Sequence, residues 1–502
     1  MSHKELTEGI YWRDSAFVAA CLMHHQEDNY DLDGAVGKDK CSAYLSKAGD
    51  SIDLASIEHI ESNSEGGFGL NYKGSLINLG FFRSVYTDES QQDTVYEVCK
   101  QPAVANMLSR FEENIKDTVF YQQYACHRQP VPRKTIEEFG QKVCLCLLDR
   151  DSASERNILR DILFERIEGF QAERSYRPSS LRLLLYCADL CSKLGVPFLE
   201  WQFRSIVYYS QYFSVYEGDD IKAKPVTLNP GLQDIRNRWR FFFMHHYFSN
   251  AIEGLLVIVL NMLSEYAETG LTIDGVVSLL KSDDITGHLR SLVGCKSLQF
   301  DKTTVGEWFA HVLENYTIGN KCPWTFLRAE CPISEECIVK DLSSSIKSSN
   351  SEAAARCLTI ILILLERCRR LEEDKYWGWA IKVSADDPQR NISAPILYLY
   401  LKTLNRNWMD MTIEDLLKRI ISRFVVEQHE LMVPEKKVGT SWLTFDAGQL
   451  FYENSFDGPS PGSSRFDSAS QIICDLGLMH LNNNHIPEMR PFSETILSEI
   501  IV

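Results

Sequence analysis

The sequence predicts a mainly α-helical protein, with a multi-helical central body and small α+β, winged-helix-like modules at both ends. Residues 232–266 carry apolar side chains at helical spacing, and several later helices begin with recognisable capping residues. Near both ends of the chain, short alternating segments are typical of β-hairpins. With 502 residues, and at about 150 residues per domain, the chain is expected to form two to four domains.

Residues 1–130 are predicted to form the first winged-helix-like module. A short helix over 72–79 ends at Gly80, where a left-handed C-terminal cap is expected. Residues 81–86 and 94–98 alternate apolar and polar side chains around a polar turn, and another helix follows. Helix, hairpin and helix is the order of a winged helix-turn-helix. The alternative is a small α+β unit that binds no nucleic acid.

Residues 131–342 and 352–410 are predicted to be the two parts of the helical body. The segment 232–266 is apolar on nearly every side in its second half, so other helices should bury it; its most apolar run is too short to span a bilayer. The serine-rich stretch 343–351 is expected to be a flexible linker. Capping boxes, in which a hydroxyl residue precedes an acid by three positions, predict helix starts at Thr135, Ser152, Thr304 and Ser349.

Residues 411–502 are predicted to be the C-terminal winged-helix-like module. Strand-like segments 441–445 and 449–453 precede a loop rich in Gly, Pro and Ser, and a short helix follows it. This helix ends at Leu476-Gly477-Leu478, which repeats Leu79-Gly80-Phe81 of the N-terminal module. The repeat predicts that two related modules flank the helical body.

Five residues of these modules are candidates for nucleic-acid contact. Lys73 and Arg83 lie in the first module, and Ser463, Ser464 and Arg465 lie at a helix start in the second. Hydroxyl groups and an arginine at a helix N-terminus are suited to a phosphate, although a serine there is equally suited to cap the helix. The net charge of −17 excludes a general nucleic-acid coat, so any DNA contact must be local.

Two arginine–histidine pairs are candidates for catalysis: Arg240 with His245, and Arg423 with His429. Such pairs on a helix resemble the active residues of HEPN-type ribonucleases, in which histidine transfers a proton and arginine holds the phosphate. Those enzymes usually carry a polar residue after the arginine, whereas both positions here hold phenylalanine. Since the sequence contains no nucleotide-binding, zincin or kinase motif, it favours a non-enzymatic role, with the ribonuclease as the alternative.

Fifteen cysteines are a normal number for this length, and many lie on apolar faces, as Cys144 and Cys146 do. This pattern predicts reduced thiols in a cytoplasmic protein, and the N-terminal segment does not have the pattern of a signal peptide. The cysteine cluster most worth testing for zinc is Cys322, Cys331 and Cys337 with His311 upstream. Its spacings lack the close pairs of a zinc knuckle, so we expect structural thiols, no metal and no cofactor.

Two patterns resemble uncharacterised accessory proteins encoded beside helicases or ATPases in bacterial anti-phage defence islands. The resemblance implies a partner-dependent role and identifies no catalytic residue. Together with the lack of a catalytic motif and the large aromatic helices, it predicts a scaffold or adaptor subunit of an antiviral assembly. The expected partners are other protein subunits, an ATPase or helicase among them, and DNA through local basic patches, with no membrane. The matching positions cover about a tenth of the chain and are mostly structural: Tyr72, Gly74, Leu76, Leu79, Gly80 and Phe81, then Arg465, Phe466, Ala469, Ile472, Asp475, Leu476, Gly477 and Leu478.

Overall fold

A computed structural model describes residues 3–25, 36–57, 72–86, 94–98, 101–149, 154–166, 176–209, 212–217, 220–316, 326–374, 376–385, 393–432, 441–459 and 464–500. Its helices are α1 (His3–His24), α2 (Lys38–Leu45), α3 (Lys73–Asn78), α4 (Pro102–Ile115), α5 (Arg133–Val143), α6 (Ser154–Leu163), α7 (Arg177–Leu194), α8 (Glu200–Arg204), α9 (Gln233–Glu265), α10 (Ile273–Ser282), α11 (Ile285–Val293), α12 (Val305–Tyr316), α13 (Glu335–Ser348), α14 (Asn350–Leu371), α15 (Trp377–Ala385), α16 (Ala394–Leu404), α17 (Ile413–Ile420), α18 (Glu427–Met432), α19 (Phe466–Asp475) and α20 (Pro491–Ser498). Its strands are β1 (Ser51–Ile52), β2 (Phe82–Tyr86), β3 (Thr94–Val98), β4 (Val131–Pro132), β5 (Tyr212–Glu217), β6 (Asp220–Pro225), β7 (Leu443–Asp446), β8 (Gln449–Tyr452), β9 (Met479–Leu481) and β10 (Pro487–Met489).

The prediction of a mainly helical fold is confirmed. The strands that the structure describes pair two by two and antiparallel, as β1 with β4, β2 with β3, β5 with β6, β7 with β8 and β9 with β10. The chain divides into two compact units. Unit 1 comprises residues 1–197 and 467–501, and unit 2 comprises residues 198–466.

Two segments of unit 1 repeat one arrangement of helix, left-handed glycine, hairpin and helix. Gly80 after α3 has a φ of 74° and Gly477 after α19 has a φ of 62°. In both, the amide of the next residue donates to the carbonyl five positions earlier, at 2.9 and 3.1 Å. The following helices, α4 and α20, begin with Pro102 and Pro491. The predicted glycine caps are therefore confirmed, and each is followed by a β-hairpin.

Helix α6 contacts both of these segments. Its Ile162 is buried in the apolar cluster of the first, while the Arg160 guanidinium donates to the carbonyl oxygens of Leu476 and Gly477 in the second. The same guanidinium lies 4.5 Å from the ring centre of Phe492. These contacts place the C-terminal helices in the same compact unit as the N-terminal residues, whereas the sequence predicted a separate module at the C-terminus.

Helices α9 and α14 are the two long buried helices of unit 2. The predicted helix over 232–266 is confirmed as α9, and its second half is buried almost without interruption. Gly254 allows the close approach of the two helices, because a Cβ there would lie 2.7 Å from the sulfur of Cys357. Residues 230–265 are long and apolar enough to cross a membrane, but 78% of their most apolar window is buried, as in the core helix of a soluble protein.

The stretch 343–351 is not a linker. Its first six residues belong to α13 and its last two to α14, with Ser349 between them. Serine hydroxyls are tolerated here because they are bonded inside the helices: Ser344 donates to the Asp341 carbonyl at 2.7 Å, and the buried Ser345 donates to the Glu352 carboxylate at 2.9 Å. Composition predicted flexibility, and packing against neighbouring helices overrode it.

The predicted capping boxes had different outcomes. At Thr304 the box is complete: the Thr304 amide donates to the Glu307 carboxylate at 2.8 Å, and the Glu307 amide donates to the Thr304 hydroxyl at 3.2 Å. Ser349 caps α14 with its hydroxyl. The prediction at Thr135 is wrong, because α5 begins two residues earlier and buries this threonine. Ser152 lies outside the described residues.

Glu335 is fully buried in the first turn of α13, where it accepts three hydrogen bonds. Arg367 of α14 donates through Nε at 2.6 Å and Nη2 at 3.1 Å, and the Tyr208 hydroxyl donates at 2.9 Å. Neither charged side chain has any exposed surface. The guanidinium also lies over the rings of Tyr208 and Phe326, at 4.7 and 4.8 Å. The pair therefore connects α13, α14 and the π-helical turn 205–209.

The next residue, Glu336, extends this network to two more helices. It accepts hydrogen bonds from Arg204 of α8 at 2.6 Å and from the Tyr247 hydroxyl of α9 at 2.8 Å. Its own amide donates to the Tyr209 hydroxyl at 2.8 Å. Carboxylates are favoured at this position because the first turn of a helix presents free amide groups and the positive end of the helix dipole.

We predict that Glu335→Gln destabilises unit 2 by about 3–5 kcal/mol, because it leaves the buried Arg367 charge without its counter-ion. The control is Glu427→Gln, which removes an ion pair with Arg423 whose side chains are 50% and 46% exposed, and this should cost less than about 1 kcal/mol. Urea unfolding followed by tryptophan fluorescence measures both, since eight of the nine tryptophans lie in unit 2. Equal losses in the two variants would contradict the prediction.

His246 of α9 is buried beside this network. Burial, and then the charge of Arg204, lower the pKa of this histidine from 6.5 to about 4, against the opposing carboxylates of Glu336 and Glu200. The folded state thus holds His246 neutral, while the unfolded state takes up a proton once the pH falls below about 6.5.

Stability that depends on neutral His246 is therefore present above pH 6.5 and is lost as the pH falls towards 4. We predict that unit 2 loses up to about 3 kcal/mol over this interval, at about 1.4 kcal/mol per unit of pKa difference. His246→Gln, which cannot take up a proton, should flatten this part of the pH profile of urea unfolding. An unchanged slope in the variant would show that other groups control the acid response.

Candidate metal centre

Two imidazoles and two thiols of unit 1 converge at one point. They belong to His24 and His25, at the C-terminal end of α1, and to Cys144 and Cys146, directly after α5. One ligand atom from each residue can be chosen so that all four lie within 4.8 Å of one another. Cys144 is buried and the other three are half-buried. Such a set is a candidate metal site.

The close packing of α1 on α5 produces this convergence. Gly140 of α5 lies against α1 so tightly that a Cβ at this position would overlap the carbonyl oxygen of Ala20 and lie 3.2 Å from the Cβ of His24. Three residues later α5 ends, and Cys144 takes an extended conformation with a ψ of 136°. The chain therefore turns back beside the last turn of α1. Gly140 is required for the contact that brings the four donors together.

Two of the donor separations are close to those of a tetrahedral metal site. His25 Nε2 lies 3.1 Å from Cys144 Sγ, and His24 Nδ1 lies 3.6 Å from Cys146 Sγ. Zinc binds sulfur at about 2.3 Å and nitrogen at about 2.0–2.1 Å, so neighbouring donors of a tetrahedral site are about 3.3–3.8 Å apart. All four donor atoms lie within 4.8 Å of one another, so the widest separation requires a contraction of at most about 1 Å on binding.

A third thiol, Cys21, adjoins the centre. It is hydrogen-bonded to Cys144, and this bond, followed by burial, raises the pKa of the Cys144 thiol. The same hydrogen bond lowers the pKa of Cys21. Of the two thiols, Cys21 therefore loses its proton more readily than Cys144. A bound cation would favour the thiolate form of each cysteine that it contacts.

The donor set indicates which metal fits. Two thiolates and two imidazoles in a tetrahedral arrangement are typical of zinc. With four protein donors no position is left for water or substrate, which distinguishes a structural zinc site from a catalytic one. The chemistry that this arrangement supports is therefore cross-linking of α1 to the end of α5.

Of the cluster considered from the sequence, Cys322, Cys331 and Cys337 with His311, the structure describes three residues. The Cys337 thiol donates to the Ala329 carbonyl at 3.2 Å, and burial raises the pKa of Cys331 to about 11. His311 Nε2 lies 3.1 Å from the Val293 carbonyl. Cys322 lies outside the described residues.

The first catalytic candidate, Arg240 with His245, lies on α9. Arg240 is buried, and its guanidinium donates to the Val207 carbonyl at 2.9 Å and to the Asn237 side chain at 3.1 Å. Arg236, one turn earlier, also donates to the Val207 carbonyl. His245 is half-buried, and five positions turn a helix by about 140°, so it points to another side of α9. The Arg240 guanidinium thus binds the backbone of the π-helical turn 205–209.

The two residues of the second candidate pair, Arg423 and His429, lie in different environments. Arg423 lies at the surface and pairs with Glu427. His429 is buried, and its Nε2 accepts a hydrogen bond from the Trp442 amide at 3.2 Å. One of the two ring nitrogens of His429 is therefore engaged within the protein, while Arg423 lies at the surface.

The residues predicted to contact nucleic acid differ in burial and in their contacts within the protein. Lys73 is half-buried at the start of α3, and Arg83 lies in β2 opposite Glu97 in the hairpin register. Ser464 is buried, and its hydroxyl donates to the Glu200 carboxylate and accepts from the Phe466 amide. Arg465 is exposed, with a φ of 58°, and Ser463 lies outside the described residues. Contact with DNA at these positions stays a prediction.

Sequence reasoning missed the metal centre, although two short signals were present. Cys21, His24 and His25 fall within five residues at the end of one helix, and Cys144 and Cys146 are separated by one residue. The second pair was interpreted as part of an apolar helical face, whereas α5 ends just before it. Recognising that helix end would have placed both cysteines in a turn and made them visible as donors.

Comparisons with protein-family models, with curated proteins and with solved structures found no match for this chain. The resemblance to accessory proteins of defence islands therefore stays an expectation from the sequence.

Proposed function

We propose that this chain is a non-catalytic scaffold protein whose unit 1 is held together by a structural zinc ion. The observation that carries the zinc site is the convergence of His24, His25, Cys144 and Cys146 within 4.8 Å. Zinc stabilises the folded state because the unfolded chain does not hold these donors together. The ion would fix the end of α1 against the end of α5.

The role as a scaffold is supported by the way charged side chains are used in unit 2. Arg204, Arg236, Arg240 and Arg367 bind glutamates or backbone carbonyls of their own unit. Arg369 and Arg370 both pair with the buried Glu366. Groups that a nuclease would direct at a phosphate thus maintain the packing of helices, which favours the scaffold over the ribonuclease alternative.

The two helix–hairpin–helix segments of unit 1 are the elements that we assign as winged-helix modules for docking. The support is their order of elements and their shared glycine cap. Their expected partners are other protein subunits, an ATPase or helicase in particular, as the resemblance to defence-island accessory proteins implies. In such an assembly the zinc ion would act on structure alone.

We predict that the purified chain contains one zinc ion and that Cys144→Ser, Cys146→Ser and His25→Asn each lose it. Elemental analysis measures the content, and substitution by cobalt should give the absorption of a tetrahedral thiolate site. At a free zinc concentration 1,000-fold above Kd, the ion adds about 4 kcal/mol to the free energy of unfolding. Chelation should remove that contribution in the wild type and leave the variants unchanged.

The matched control is Cys337→Ser, a half-buried cysteine of unit 2. It should retain zinc, because its thiol bonds a backbone carbonyl far from the four donors in sequence. Wild-type protein without metal after purification in zinc-containing medium would refute the zinc centre. Loss of zinc from the control as well would show that the metal is bound elsewhere.

We predict that the chain forms a stable complex with an ATPase or helicase subunit when the two are purified together from the cells that produce them. Gel filtration with mass measurement should show one heteromeric species. A tagged chain that elutes alone as a monomer, and retains no such subunit at low salt, would contradict the scaffold role. Degradation of RNA by the purified chain, abolished by His245→Ala, would instead establish the alternative.

A further inference from the structure

Cys21 adjoins the metal centre but is not one of its four converging donors. It lies three and four positions before His24 and His25 on α1, which places all three side chains on neighbouring parts of one helix face. Its thiol is hydrogen-bonded to that of Cys144, and the two side chains are 1% and 2% exposed. A tetrahedral ion takes four donors, so one of the three thiols is left over.

The pair Cys21 and Cys144 differs from the pair Cys144 and Cys146 in how easily a disulfide can form. Cys144 and Cys146 are separated by one residue, and a bridge between them would close a very small ring with strained geometry. Cys21 reaches Cys144 from another segment of the chain, across the buried contact with Phe17 and Leu147. The sulfur best placed to bond Cys144 is therefore that of Cys21.

We propose that Cys21 and Cys144 are an oxidation site, at which a peroxide joins the two sulfurs in a disulfide and expels the zinc ion. Release of zinc rests on the proposed zinc centre, while formation of the disulfide does not. The oxidant is hydrogen peroxide, a small molecule, and the neighbouring His24, His25 and Cys146 are half-buried, so this side of the centre has some contact with solvent. Cys146 and the two histidines remain as three donors, too few to hold the ion tightly.

The reaction balances in two steps. The Cys21 thiolate attacks one oxygen of the peroxide, the O–O bond breaks, and hydroxide leaves, which gives a sulfenic acid. The Cys144 sulfur then attacks the sulfenic sulfur, the S–S bond forms, and a second hydroxide leaves. Overall, the Cys21 thiol (which loses its proton before the attack), the zinc-bound Cys144 thiolate, one hydrogen peroxide and one proton give one disulfide, two water molecules and a released zinc ion. The two sulfurs lose the two electrons that the peroxide gains.

The test treats the full zinc-loaded chain with hydrogen peroxide and follows two quantities. A colorimetric chelator measures released zinc, and peptide mapping without reduction identifies the linked cysteines. We expect one zinc ion released for each chain, together with a peptide that joins Cys21 to Cys144. Cys21→Ser should bind zinc as the wild type does, release it at least ten-fold more slowly, and give no such peptide.

Two further variants separate this inference from the zinc centre itself. Cys146→Ser should lack zinc and still form the Cys21–Cys144 disulfide, whereas Cys126→Ser, which removes an exposed cysteine, should behave as the wild type in both measurements. Equally fast zinc release from Cys21→Ser would overturn the inference, as would a linked peptide that contains Cys146 in place of Cys21. Wild-type protein that lacks zinc but forms the Cys21–Cys144 disulfide would refute the zinc centre and support the thiol pair.

Discussion

The buried ion pair of Glu335 and Arg367 is the constraint on which the packing of unit 2 depends. A charge without exposed surface is tolerated only when a counter-ion and hydrogen-bond donors surround it, and here both side chains are completely covered. Tyr208 and the neighbouring Glu336 complete the set and engage α8, α9 and the turn between α8 and β5. Each helix must therefore hold one position, whereas apolar contacts alone would tolerate a shift along the interface. Removing either partner would leave the other charge buried without a counter-ion, so the two residues must be accommodated together.

In unit 1, polar side chains also converge between helices, but they are imidazoles and thiols and not an ion pair. Helices α1 and α5 approach closely at Gly140, and two half-buried imidazoles, one half-buried thiol and one buried thiol converge there. These groups satisfy one another poorly, because a thiol is a weak donor and a weak acceptor. A divalent cation with four ligands resolves this, since it bonds every donor at once. In both units, polar side chains therefore help to determine which helices meet. In unit 2 the opposite charges of Glu335 and Arg367 neutralise each other, whereas in unit 1 the proposed cation would bind the four donors.

The sequence predicted what depends on local periodicity and failed where tertiary contacts decide. The 33-residue α9 and the glycine caps at Gly80 and Gly477 follow from spacing and from backbone conformation, and they were predicted. The stretch 343–351 was misassigned because buried hydroxyl contacts are invisible in composition. The buried role of Arg240 depends on carbonyls that lie 33 positions away, and the metal donors come from segments 119 positions apart. Pairings of this kind carry no local signal, so the sequence alone could not assign them.

That separation also determines what a cross-link at this site does for the fold. His25 and Cys144 close a loop of 119 positions that contains α2, α3, α4 and α5. A cross-link across about 100 residues restricts the unfolded chain enough to contribute about 4–5 kcal/mol in the chain-entropy account. A zinc ion and a Cys21–Cys144 disulfide would close nearly the same loop. Oxidation would therefore exchange one cross-link for another, changing the occupancy and charge of the centre while the junction of α1 and α5 stays closed.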